Sequence, residues 1–454
     1  MSITDELCRK IVAIEAEAIP VQAWELANQV VLDGIAVAVA GAAELPVRIL
    51  ADYFREQGGN PVASMVGCGY KGTLFQAAYV NAASMHVLDY EPMSNPSTHA
   101  TSPVLPGVLA LAEWREYDGR ELALALIKGV EMQARLRIAT GKPGQYRFHT
   151  PGVVGPMGGA IAAGHLLRLD AVQTGYALGI AASRCGSLMA NAGSMAKCTH
   201  LGLAAANGLE AALLAARGFT ASPDVMEHRW GYAQAFLDGE IEAESLLSFG
   251  NPYRIVEARY AIKLFPCVYP THWGIDAALQ LRDRISSVDQ IKEVTLTALD
   301  TPPMRRQDRP QLNSGLEGKF SHQYTVACAL VDGRVGIDHF TDECLSRPDI
   351  AAMLAKVRVA YDDNREADDE AYWVKLAVQT LSGEIFTSEC KYPAGHFHLP
   401  VLSLERHRTK LHECLRRTFG PVEEEEIIAL AGHFDQLKNK EVKRLMELVS
   451  RRAS

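Results

Sequence analysis

Gly193–Gly218 reads GSMAKCTHLGLAAANGLEAALLAARG, and the reading of this stretch decides the fold class. Alanine, leucine and glycine dominate it, and Glu210 is the one charge between His200 and Arg217. A helix that is apolar round its whole circumference belongs among other helices and not on a surface. Lys197 and His200 stand at the mouth of this helix. Lysine is among the residues least often buried, and an unpaired ammonium there is costly, so a cation in this position asks for an anion. A substrate carboxylate would make Lys197 a binding residue. A side chain reaching out to solvent, or pairing with an internal aspartate, would satisfy the same charge.

Outward from this stretch, the pattern to about residue 260 is helical. QAWELANQVVLDGIAVAVAGAA (22–43), SPVLPGVLALAEWREY (102–117), ELALALIKGVEMQARLRIAT (121–140) and AVQTGYALGIAASRCG (171–186) are separated by short Gly, Pro or Asp punctuation. GVVGPMGGAIAAG (152–164) has residues small enough for helix backbones to approach closely; as a phosphate loop it lacks a Walker lysine and a preceding strand. After Asp276 the texture changes. Gln290–Leu299 and Lys356–Tyr361 alternate polar with apolar residues, and YWVKLAVQTLSGEIFTSECKY (372–392) reads as a hairpin turning at Ser382-Gly383. From about 402 the helical period returns, in LSLERHRTKLHECLRRTFG and in EEEEIIALAGHFDQLKNKEVKRLMELVSRRA, whose glutamates suit a helix N-terminus. The expected architecture is mainly α: a large discontinuous all-helical domain, residues 1–265 plus 402–454, with an inserted smaller α+β lid domain, residues 266–401.

With 454 residues the chain exceeds the size at which one core keeps growing, which favours two domains. Its 48% hydrophobic and 22% charged residues are those of a globular protein. A net charge of −9 and the lack of a long basic run argue against nucleic acid as a partner. MSITDELCRK does not have the basic and then apolar character of a secretory leader, and no apolar run reaches about 18 uninterrupted residues, so no membrane partner and a cytoplasmic location are expected. Nine cysteines without CxxC spacing indicate neither a disulfide framework nor a thiolate zinc site.

Five places hold polar residues that the local pattern does not require. MHVLDYEPMSNPSTHATSPVLPGVLALAE (85–113) carries Asp89, Glu91 and His99; helix caps account for Thr101 and Ser102 but not for Asp89 or His99. His149 lies in the loop before the small-residue helix. Lys197 and His200 form the third group, Lys263 with His272 the fourth, and Lys319, Ser321, His322 and Tyr324 the fifth. Three lysines with several histidines, an aspartate and a tyrosine at the edges of buried helices suit a carboxylate-bearing substrate. Removing a proton next to a carboxylate takes a base near neutral pKa, commonly His, and cations that stabilise the resulting charge. No HExxH spacing supports a metal, His396-x-His398 is an isolated pair, and no GxSxG elbow supports a serine hydrolase.

In order and spacing, LDYEPMSNPSTH, FHTPGVVGPMGGAIAAG, GSMAKCTHLGLAAANGLEAALLAARGFT, KLFPCVYPTHWGIDAAL and KFSHQYTVACALVDG resemble the MmgE/PrpD family over nearly the whole chain. The resemblance implies a helical domain with an α+β lid, a homodimer, no metal and no cofactor, and a small carboxylate substrate. It implies catalytic roles for Asp89, His99, His149, Lys197, Lys263 and Tyr324, and substrate binding by Lys197, His200, Lys263 and Lys319. Asp89 is expected to orient an imidazole and Tyr324 to donate a proton from the lid. Met93 stands where the family's decarboxylases have Thr, Val268 replaces a His, and His99 is followed by Ala-Thr where many members have Pro-Ser. The expected activity is that of a lyase that eliminates water in the manner of 2-methylcitrate dehydratase. Decarboxylation like that of cis-aconitate decarboxylase, epimerisation of the iminodisuccinate type, and a non-catalytic binding role on the same scaffold remain open.

Overall fold

Glycine and alanine set the distances between the central helices. The computed structural model describes residues 2–139, 147–363 and 372–452, and it is mainly helical. Two compact units divide the chain: Met1–Val87 with Glu91–Ile262 and Ser403–Ser454, and Leu88–Tyr90 with Lys263–Leu402.

The first unit opens with its principal helices α1 (Val21–Gly41), α2 (Leu74–Val87), α3 (Leu105–Trp114), α4 (Gly119–Ala139), α5 (Thr150–Leu166), α6 (Ala171–Ala182) and α7 (Ala196–Ala215). α5 packs against α4 and α7, and α2 against α1 and α7. A Cβ on Gly158 would stand 2.5 Å from the Gly129 carbonyl oxygen, and one on Gly208 would stand 2.6 Å from that of Pro156. Only hydrogen fits at these crossings, which is the physical content of the small-residue run in the sequence. The capping box of α6, with the Gln173 N–H on Asp170 Oδ1 at 2.8 Å and the Asp170 N–H on Gln173 Oε1 at 3.2 Å, explains where that helix starts.

The second unit holds a four-stranded sheet, β1 (Ile291–Leu299), β2 (Val357–Asp362), β3 (Val374–Thr380) and β4 (Ile385–Cys390), in the order β2-β1-β3-β4. β1 and β2 run parallel, and the other pairings are antiparallel. A parallel pair needs a crossover, and the connection carries helices α9 (His322–Asp332) and α10 (Pro348–Leu354). α8 (His272–Arg282) packs on β3, β4 and α9. The β3–β4 hairpin turns where the sequence places it, with Gly383 at φ +89° and the Thr380 N–H on the Glu384 carbonyl at 2.8 Å.

The chain then returns to the first unit as α11 (Leu404–Leu415), α12 (Pro421–Gly432) and α13 (Asn439–Val449). The period that runs through EEEEIIALAGHFDQLKNKEVKRLMELV is broken after Gly432, because the chain turns there to bury Phe434 and to give the Leu437 carbonyl to the Gly119 N–H at 2.8 Å. α1 alone among the described helices has the length and apolar composition to cross a membrane. It is instead a core helix with a buried Asp33 in its middle, bonded to His407 Nε2 at 2.6 Å and Lys410 Nζ at 2.7 Å from α11. All nine cysteines are free thiols.

Candidate active site

α2 ends on a histidine. His86, in the last turn of α2, is 1% exposed, and its Nδ1 lies 2.5 Å from Oε1 of Glu91, which is wholly buried. The Ser102 hydroxyl donates to the same oxygen at 3.1 Å. Nδ1 of His99 lies 3.0 Å from it as well, off the N–H axis, so this third contact is electrostatic more than directional. Sequence reading took Ser102 for a cap of α3. The cap position falls to Val104 without any side-chain bond, and the Ser102 hydroxyl serves Glu91.

His149 is the N-cap residue of α5 and is pinned by its own N–H on the Ser187 carbonyl at 2.8 Å. Its Nδ1 faces Nδ1 of His200, in the second turn of α7, at 3.2 Å. Ring centroids separate His86 from His99 by 4.5 Å, His86 from His149 by 5.5 Å and His149 from His200 by 5.3 Å. Lys197 sits partly exposed in the first turn of α7, at the positive end of the helix dipole.

Burial pushes the His86 imidazole down to about 3, with Glu91 opposing and Lys197 reinforcing the shift. Burial, followed by the charge of Lys197, holds His149 well below the ordinary histidine value and lowers His200 as well. For Glu91 burial works towards protonation, but the attraction and hydrogen bonds of His86 and His99 outweigh it and keep the carboxyl ionised. The first unit thus gathers one carboxylate, four imidazoles and one ammonium at a helix N-terminus. It can bind an anion and move a proton.

In the second unit Lys263 donates to Asp89, and both side chains are buried. Asp89 adopts a left-handed backbone, φ +52°, which aspartate tolerates better than most residues. Glu91 makes a contact of the imidazole-orienting kind with His86, and Asp89 pairs with Lys263. The Lys319 ammonium donates to the carbonyls of Leu88 at 3.1 Å and Pro266 at 3.2 Å. Tyr324, in the first turn of α9, is fully buried and gives its hydroxyl proton to the His339 carbonyl. Of the residues expected from sequence, His99, His149, Lys197 and His200 come together in one unit, and Asp89 and Lys263 meet in the other. His86 and Ser102 were missed, and Glu91 was noticed without a role. An imidazole and a carboxylate five residues apart share no face of a helix or strand, so no periodic signal marks them.

Imidazole nitrogens of His86, His99 and His149 lie within 4.8 Å of one another, close enough for one divalent ion to bridge. The charge of Lys197, which already depresses His86 and His149, works against a dication there.

Residues 5–244 match the family model for the MmgE/PrpD N-terminal domain, and residues 265–436 that for the MmgE/PrpD C-terminal domain. The chain is similar to cis-aconitate decarboxylase of Homo sapiens, 31% identical over 72% of this chain and 69% of the relative, and to that of Mus musculus, 28% identical over 84% and 80%. It is also similar to the mitochondrial 2-methylcitrate dehydratase of Yarrowia lipolytica, 24% identical over 43% and 39%.

Proposed function

The chain belongs to the MmgE/PrpD family, and from that premise we propose that it is a lyase that takes carbon dioxide from a small unsaturated di- or tricarboxylate. The observation that carries this reading is the cluster of His86, His99, His149 and His200 around buried Glu91, with Lys197 at the start of α7. The sequence by itself leaned towards loss of water. The relatives that cover most of the chain are cis-aconitate decarboxylases, which favours decarboxylation.

Lys197, at the positive end of α7, binds a carboxylate of the substrate. When the bond to the departing carboxylate breaks, its electron pair stays on carbon and spreads into the neighbouring unsaturated system. An imidazole N–H then supplies the proton that replaces carbon dioxide. His99 and the His149–His200 pair carry such protons, and their depressed basicity keeps His149 and His200 neutral near pH 7, able to give or take one.

Elimination of water is the second reading. It is favoured by Met93, an apolar and buried residue where the decarboxylases of the resemblance have Thr. Incubation with a panel of carboxylates in deuterated water, followed by NMR, separates the two. Carbon dioxide with deuterium in the product supports decarboxylation, a new conjugated alkene at unchanged carbon count supports dehydration, and exchange without either supports epimerisation. No reaction and no binding with any carboxylate contradicts the proposal.

A further inference from the structure

Cys328 stands four residues after Tyr324 on α9, so the two side chains share a face of the helix. The segment from Ile337 to Leu345 lies against that face: the Tyr324 hydroxyl donates to the His339 carbonyl, and the rings of Tyr324 and Phe340 are 6.1 Å apart. Cys344, five residues beyond His339 on the same segment, meets Cys328 in a side-chain hydrogen bond, and both thiols reach Tyr324. The Tyr324 proton is already given to the His339 carbonyl, so the Cys344 sulfur takes its hydrogen bond from the Cys328 thiol. Cys328 is 0% exposed and Cys344 7%, so the second is the one that a small reagent meets first.

We propose that Cys328 and Cys344 are a redox pair, in which a hydroperoxide oxidises Cys344 and Cys328 closes a disulfide onto it. The thiolate is the form that reacts with peroxides, and a second thiol beside it resolves the product. The hydrogen bond from Cys328 outweighs burial and, with His339 and Arg347 close by, brings the Cys344 thiol down to about 6. Burial pushes Cys328 and the other seven thiols up, which leaves them protonated and slow. The Cys344 thiolate attacks one oxygen of hydrogen peroxide, the O–O bond breaks, and the departing hydroxide takes a proton to become water, leaving a sulfenic acid. The Cys328 sulfur then attacks the sulfenic sulfur, the S–O bond breaks, and the hydroxyl leaves with the Cys328 proton as a second water. Two thiols are oxidised to one disulfide, and the peroxide is reduced to two waters. Side chains already in contact need little movement to reach the Cβ separation of about 3.8 Å that a disulfide requires. The bond ties α9 to the segment whose His339 carbonyl holds the Tyr324 hydroxyl.

The test uses the full wild-type chain, reduced, exposed to hydrogen peroxide at rising dose, blocked with N-ethylmaleimide in denaturant and cleaved with trypsin. Cleavage after Arg334 puts Cys328 and Cys344 on separate peptides. At a dose that leaves the other seven thiols open to N-ethylmaleimide, these two peptides are expected to appear linked, about 2 Da below their summed mass, and to separate in dithiothreitol. Cys328→Ser removes the closing thiol, so dimedone is expected to trap Cys344 as its sulfenic acid. In Cys344→Ser, Cys328 is expected to stay unlabelled by dimedone at the same dose. The wild-type measurement needs no variant to fold. Peroxide that leaves Cys328 and Cys344 unlinked while other thiols react overturns the proposal, as does a disulfide from either of them to one of the other seven cysteines. Dimedone found on Cys328 in Cys344→Ser, with none on Cys344 in Cys328→Ser, overturns the assignment of Cys344 as the thiol attacked.

Discussion

Nδ1 of His149 lies 3.2 Å from Nδ1 of His200, so one of the two rings holds the proton between them and the other accepts it. Two imidazolium rings in this contact would repel, and burial disfavours the charge on each. Both side chains, and His86 at about 3, have folded-state pKa values below the unfolded value of about 6.5. Below pH 6.5 the unfolded chain therefore binds more protons than the folded one, and stability present above that pH is lost as the pH falls towards 3. Urea midpoints measured from pH 7 to pH 4 are expected to drop, and the His149→Gln/His200→Gln double variant is expected to show a flatter profile. An identical slope in the variant would remove these rings from the account.

Asp33 accepts hydrogen bonds from both His407 and Lys410 in the core of the first unit. Lys410→Met leaves that carboxylate to His407, and breaking a buried ion pair from one side costs about 3–5 kcal/mol. Asp33→Leu combined with Lys410→Met is expected to recover much of the loss. Denaturant unfolding of the single and double variants checks both expectations.

Gly158→Ala places a methyl 2.5 Å from the Gly129 carbonyl oxygen and 2.7 Å from Gln133 Cγ, so α4 and α5 must move apart. A loss of about 1–3 kcal/mol is expected from overpacking of this kind. Gly186→Ala meets no atom within 4 Å and serves as the comparison, with stability close to wild type.

Chelation gives a further check. With Lys197 beside the imidazoles, turnover is expected to survive dialysis against a strong chelator, and elemental analysis of the active protein is expected to find no stoichiometric metal. Activity that is lost and then restored by a divalent ion would turn His86, His99 and His149 into metal ligands.

Local patterns carried much of the fold. The apolar circumference of Ala196–Ala215, the small residues at the α4–α5 and α5–α7 crossings, and the alternation in β1, β3 and β4 are properties of a few consecutive residues, and the described helices and strands follow them. The parallel β1–β2 pairing, and the Asp33 contacts made 374 and 377 residues away in sequence, have no local signature. The site divides in the same way. His99, His149, Lys197 and His200 stood out because a polar side chain interrupted an apolar pattern. Asp89 and Glu91, two residues apart, offered no way to tell which carboxylate bonds Lys263 and which bonds His86, since that depends on where the backbone turns at a residue with φ +52°.

The central claim is that the imidazole cluster with Lys197 handles a carboxylate substrate. Its most direct test is turnover of cis-aconitate, the substrate named for the relatives, by wild type and by Lys197→Ala under the same conditions. Carbon dioxide release by wild type, and a loss of about 10²-fold or more in Lys197→Ala with unchanged circular dichroism and melting, is the predicted result, because Lys197 is partly exposed and not needed for packing. Lys197→Ala releasing carbon dioxide as fast as wild type would contradict the account.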